Sequence, residues 1–145
     1  MRAPLDRRTT SNDVDLGSAC RGPTPFELIV LSLAGSWDPS LPIAASRANA
    51  TGLLDLTLLR DQCLVSPAVE RMTRLGRDHV GLVLDSRFGD VENAAIEALS
   101  GEATVLLMGG TQTQLAAASE RCRAKANRIG FVTTSQAEAT LAEEL

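Results

Sequence analysis

From Phe26 onward the chain passes five times from a short aliphatic run to a longer stretch of helical period, and this rhythm limits what it can fold into. The first run, Glu27-Leu28-Ile29-Val30-Leu31-Ser32-Leu33, is nearly continuous in apolar residues, as a strand covered on both faces must be. Gly35, Asp38 and Pro39 end it. A helix is predicted from Pro39 to about Ala48, with Asp38 as N-cap and Pro42 in its first turn, where proline is tolerated. Gly52 to Thr57 reads as the second strand. An irregular stretch follows, then a helix from Ser66 to Gly76, opened by Ser66-Pro67 with Glu70 in the first turn. The third strand is Val80 to Asp85, before a helix from Val91 to Leu99 capped by Asp90. The fourth is Thr104 to Met108, before Gly109-Gly110 and a helix from about Gln112 to Ala126. The fifth is Arg128 to Thr133, with Ser135 capping a last helix.

Strands that alternate with helices in this way build a parallel sheet joined by right-handed crossovers. Two α/β architectures satisfy five consecutive βα units. They form either the first five units of a TIM barrel or an open sheet of flavodoxin type. Length by itself favours the open sheet, because a complete eight-unit barrel takes about 250 residues and the chain has 145.

Composition removes several function classes. A net charge of -4 offers no basic surface for nucleic acid, and no apolar run reaches the length of a membrane span. Cys20, Cys63 and Cys122 are odd in number and far apart, without the close pairing of a zinc or redox motif, so free thiols in a reducing, cytoplasmic setting are expected. Residues 1–25 mix arginines and aspartates with Thr, Ser, Gly and Pro and show no apolar period. They read as a disordered leader, with residues 26–145 as the βα-repeat domain.

Both architectures place ligands at the carboxyl ends of the strands. The candidate surface is therefore Ser32 to Trp37, Asp55 to Thr57, Asp85 to Arg87, Gly109 to Thr111 and Thr133 to Ser135. Gly109-Gly110-Thr111 precedes a helix, where free N–H groups and the helix dipole suit a phosphate or carboxylate; the plainer reading is a turn. Asp85 ends a buried strand and is expected to cap its turn or pair with Arg87. His79 lies at the opposite end of the strands, so no serine, cysteine or threonine on the rim has a histidine to activate it. Trp37 is expected to cover the core in preference to stacking on a flat ligand. No Walker loop, dinucleotide fingerprint or phosphoacceptor carboxylate pair is present.

The stretch FELIVLSLAGSWDPSLPIAASRANATGLLDL, Phe26 to Leu56, resembles the start of the nitronate monooxygenase family, formerly called 2-nitropropane dioxygenases. Ser32-Leu33-Ala34-Gly35 stands where the family's first strand ends in its short turn, Pro39 to Ala48 where a helix with small residues begins near a proline, and Ala50-Thr51-Gly52 where a turn leads into strand two. The likeness is to the segment of this kind found at the start of some polyketide synthase polypeptides, and it extends weakly through Asp85 and the fifth unit. It implies a partial TIM barrel with FMN at the carboxyl ends of the strands. Leu33, Ala34 and Gly35 would lie near the flavin ring and Asp85 would replace a usual asparagine; Gly109 and Gly110 remain candidate cofactor contacts on their place before a helix. The family's catalytic histidine and its phosphate-binding glycine loops belong to later units than these five. The implied function is a truncated or degenerate flavin oxidoreductase module with little activity alone, associated with downstream synthase domains or with itself through an open sheet edge. The alternatives are a non-catalytic docking or scaffold module and an independent flavodoxin-like ligand-binding domain.

Overall fold

The computed structural model describes residues 27–87, 89–99 and 102–143. The predicted leader and Cys20 lie outside them. Ten elements alternate along the described residues: β1 (Ile29–Leu31), α1 (Ser40–Arg47), β2 (Thr51–Asp55), α2 (Gln62–Leu75), β3 (Val80–Asp85), α3 (Gly89–Ala98), β4 (Ala103–Met108), α4 (Gln112–Arg123), β5 (Ala126–Val132) and α5 (Gln136–Glu143). The strands form one parallel sheet in the order β1-β2-β3-β4-β5. The fold is thus α/β, built from five consecutive βα units. A flavodoxin-like sheet places its first strand between the second and third; here β1 is an edge strand, so that alternative does not apply.

Period-two alternation divides each strand between two faces. Leu54, Val80, Leu82, Leu84, Ala103, Val105 and Leu107 belong to one apolar core with Val65, Ala68, Val69 and Met72 of α2, Val91, Ala95 and Ile96 of α3, and Ala118 and Cys122 of α4. On the opposite face Leu53 and Val83, on the middle strands, are also buried, at 0% and 2% exposure. Gly52 faces α1: a Cβ there would stand 2.1 Å from the Pro42 carbonyl oxygen, so its missing side chain lets the helix lie on β2. Gly81 and Gly130 face the other way, where a Cβ would run into Leu53 and Thr104, or into Leu106.

The sheet is strongly curved. Glu27, just before β1, accepts hydrogen bonds from Arg128 of β5 at 2.6 and 2.9 Å, so a contact joins the two edge strands. With strands about 4.8 Å apart, a flat sheet would hold its first and fifth strands about 19 Å apart. Fully extended, a glutamate and an arginine joined by a hydrogen bond span roughly 15 Å between Cα atoms. The face opposite the helices is therefore concave, as the inside of a βα barrel wall is.

Several element boundaries differ from the sequence reading. β1 is three residues long; Leu33, expected within it, lies beyond the paired segment and is 83% exposed. α2 begins at Gln62, four residues before Ser66, because the Asp61 carboxylate accepts from the Cys63 N–H and caps the helix there. Pro67 then falls inside α2. The carbonyl that loses its partner belongs to Cys63, an exposed residue in the first turn of the helix. Asp90 sits in the first turn of α3, not before it. Asp38 is one residue too early to be the formal N-cap of α1, yet its Oδ1 accepts from the Ser40 N–H at 3.1 Å and from Ser40 Oγ at 2.7 Å, so it still serves the helix start. No helix among the described residues is long and apolar enough to cross a membrane.

Candidate functional site

The parallel order brings the predicted rim residues to one end of the sheet, each at the end of its own strand. After β1, Leu33 and Ala34 are exposed, and Gly35 turns the chain at φ +75°, donating its N–H to the Asp55 carbonyl at 3.0 Å. A Cβ on Gly35 would stand 3.0 Å from Leu58 Cβ, so the glycine answers both the backbone angle and the tight approach. Ser32 Oγ accepts from the Asp55 N–H at 2.9 Å, tying the ends of β1 and β2 together.

β2 and β3 end in the same local device. Asp55 Oδ1 accepts from the Thr57 N–H at 3.0 Å and from its hydroxyl at 2.6 Å. Asp85 Oδ1 accepts from the Arg87 N–H at 3.1 Å, and both of its carboxylate oxygens take the Arg87 guanidinium, at 2.9 and 2.6 Å. Each is a carboxylate folded back on the residue two positions on, the Asx geometry that terminates a strand without further partners. Asp85 is only 7% exposed. The hydrogen bond from Arg87 holds its carboxyl below the usual range against the opposing effect of burial, with the charge of Arg60 acting in the same direction as Arg87. Arg60 comes from the irregular segment after β2, where no period or motif marks it, and it donates to the Thr57 and Leu59 carbonyls.

Gly109 and Gly110 adopt φ +65° and +87°. A Cβ on Gly109 would stand 2.9 Å from Asp85 Oδ1 and from Arg87 Nε, and one on Gly110 would stand 2.5 Å from Ser86 Oγ. The two glycines thus let the β4 turn close over the β3 turn, and Ser86 Oγ donates to the Gly109 carbonyl. At the start of α4, Thr111 and Gln114 form a capping box: Thr111 Oγ1 accepts from the Gln114 N–H and Gln114 Oε1 accepts from the Thr111 N–H. Protein groups therefore already occupy donors that an anion would need.

The space above Gly109 is filled by the Asp85–Arg87 pair, and the capping box engages the α4 terminus. A cleft between the ends of β4 and β5, lined by Gly109, Gly110, Leu115 and Phe131 among others, has room for only about 20 Å³, far below the ~300–1,000 Å³ of small-molecule sites. Among the described residues, the turn from Gly109 to Thr111 offers no open cradle for a flavin phosphate. Leu33, Ala34 and Gly35 do present an exposed turn on which a flat ring could rest. Trp37, expected to cover the core, is 55% exposed and instead walls a shallow apolar groove with Pro39, Leu64, Pro67, Ala68 and Arg71 on the helical side. His79 is exposed at the far end of the strands, as its position before β3 implied. No three His, Cys, Asp or Glu side chains among the described residues are grouped to hold a metal.

Comparison of the chain with protein-family models, with curated proteins and with solved structures finds no match.

Proposed function

We propose that this domain is a nitronate-monooxygenase-like βα-barrel module, derived from the FMN-dependent oxidoreductases and associated with a polyketide or fatty acid synthase type of polypeptide, with little activity by itself. Two things support it: the resemblance over Phe26 to Leu56 and the strand order β1 to β5 along a concave sheet. The observation that carries low activity is the closure of the rim on itself. Asp55 and Asp85 are each bonded within their own turn, so neither carboxylate is poised to move a substrate proton. FMN, when held by a complete site, would supply redox chemistry; the residues of this chain that would approach it are Leu33, Ala34 and Gly35. Asp85, its charge offset by the two-point pairing with Arg87, would stand where the family often has an asparagine.

The same self-contained rim favours one other reading, a docking or scaffold module without catalysis. Titrating FMN into ¹⁵N-labelled protein separates the two. The family reading expects weak, saturable shifts confined to Leu33–Gly35 and the neighbouring strand ends, with no nitronate turnover. No shift at these amides would leave the scaffold reading. A yellow protein with stoichiometric FMN and turnover would overturn the inactivity proposed here.

A further inference from the structure

The curved sheet leaves two edges, and the residues that border them differ from those on the middle strands. On the concave face Leu53 and Val83 are buried, whereas Ile29 and Leu31 of β1 are 43% and 47% exposed and Val132 of β5 is 38% exposed. Apolar exposure on this face thus concentrates at the edge strands. The charges there are also divided: Glu27 stands at the start of the β1 edge and Arg128 near the start of the β5 edge, with side chains 43% and 55% exposed.

Along the strand direction both edges read in the same order, a charge first and apolar groups after it. On β1 this is Glu27, then Ile29 and Leu31; on β5 it is Arg128, then Val132. A parallel pairing of the β1 edge with a β5 edge would therefore set acid beside base and apolar beside apolar, while an antiparallel pairing would not. Within one chain β1 and β5 are the two edges of the sheet and do not pair with each other. A second copy can pair with both. A two-fold axis along the axis of the curved sheet would place β5 of each copy beside β1 of the other, forming two identical ladders and leaving no free edge.

We propose that this face is a homodimer interface in which the β1 and β5 edges of two copies pair in parallel, and Glu27 of each copy exchanges its own Arg128 for that of the other. Within one chain the Glu27–Arg128 bond crosses the concave face; in the dimer the same partners meet between adjacent strands. The exposed Ile29, Leu31 and Val132 become the apolar lining of a shared interior. The occupant is a second copy because the acidic edge and the basic edge that complement one another are both present on this chain.

The test is the mass in solution of the full chain and of two charge variants, by light scattering after size exclusion, with circular dichroism as the check of folding. Wild type is expected as a dimer. Glu27→Arg alone and Arg128→Glu alone are expected as folded monomers, since each would face its own charge across both ladders. An equimolar mixture of the two is expected to return to the dimer, because in the mixed pair both ladders again set an acid at one of these positions against a base at the other. An ion pair that stays within one chain cannot be rescued by mixing. Should a variant fail to fold, isotope-filtered NMR on a mixed labelled and unlabelled wild-type sample gives the same answer, with Ile29 and Leu31 methyls expected to contact Val132 methyls of the other copy. A wild-type monomer, or a mixture no more associated than its parts, overturns the proposal and leaves the edges to a different polypeptide.

Discussion

Arg121 of α4 reaches 29 residues back to bond the carboxylate of Glu92 in α3, a side chain only 1% exposed, while the second carboxylate oxygen, Oε2, has no hydrogen-bond partner among the described residues. The guanidinium itself is 44% exposed. Removing it strands a buried charge, whereas removing the carboxylate strands nothing that water cannot reach. Arg121→Ala is therefore expected to destabilise the fold by about 2–3 kcal/mol, somewhat less than a fully buried pair would show. Glu92→Leu should cost far less, and the double variant should recover most of the loss. Urea unfolding of the three variants measures this; a Glu92→Leu loss as large as that of Arg121→Ala would contradict it.

The Glu27 carboxyl is held down to about 2, from an ordinary 4.5, first by the hydrogen bonds from Arg128 and then by that from Thr51. A carboxyl whose folded pKa is depressed contributes stability above its unfolded value and loses it as pH falls toward the folded one. The difference in melting temperature between wild type and Glu27→Gln should be constant near neutrality, shrink below about pH 4.5 and vanish near pH 2. Thermal melts across that range at fixed ionic strength provide the comparison.

Burial pushes the Cys122 thiol up to about 11, with the nearby Glu92 charge acting in the same direction. Cys63 is exposed at the start of α2. In a Cys20→Ser background, a disulfide reagent at pH 8 is expected to titrate one thiol in the native protein and two after denaturation. Rapid native labelling of Cys122, identified by peptide mass, would show that the α4 packing opens readily.

Two glycines should respond in opposite directions to alanine. Gly52→Ala drives a methyl into the Pro42 carbonyl and is expected to cost about 2–3 kcal/mol or to displace α1. Gly89, at the start of α3, has open space for at least 4 Å around the position a methyl would take, and its φ is not positive. Gly89→Ala should stabilise by up to about 0.5–1 kcal/mol through the unfolded chain. Calorimetric melting of both variants checks the pair of signs.

The element order was legible because every βα unit carries a nearly continuous apolar strand and a helix of clear period. The span of β3, Val80 to Asp85, is the same by sequence and by structure, since both its ends carry turn signals. α2 shows the limit. Ser66-Pro67 is a sound start signal in isolation, but Asp61 supplies a second local cap a turn earlier, and the proline falls inside the helix. At the rim, the Asp85–Arg87 pairing was readable from a spacing of two. Its enclosure by Gly109 was not, because that depends on how two separate turns meet. The Glu27–Arg128 bond lies furthest from the reach of sequence, as it joins residues 101 positions apart through the curvature of a whole sheet.

Each strand pairs only with those before and after it in the chain. Such a molecule behaves almost as a linear array, in which a unit is held by its immediate neighbours and can fray from either end without the others. In the single chain β1, with three residues and one partner, is the end that loosens first. There the bond between Glu27 and Arg128 makes the two ends of that array report on each other, so that opening at β1 is felt at β5. Hydrogen exchange at the two edges would then rise together, while β3 keeps its protection until the whole domain unfolds.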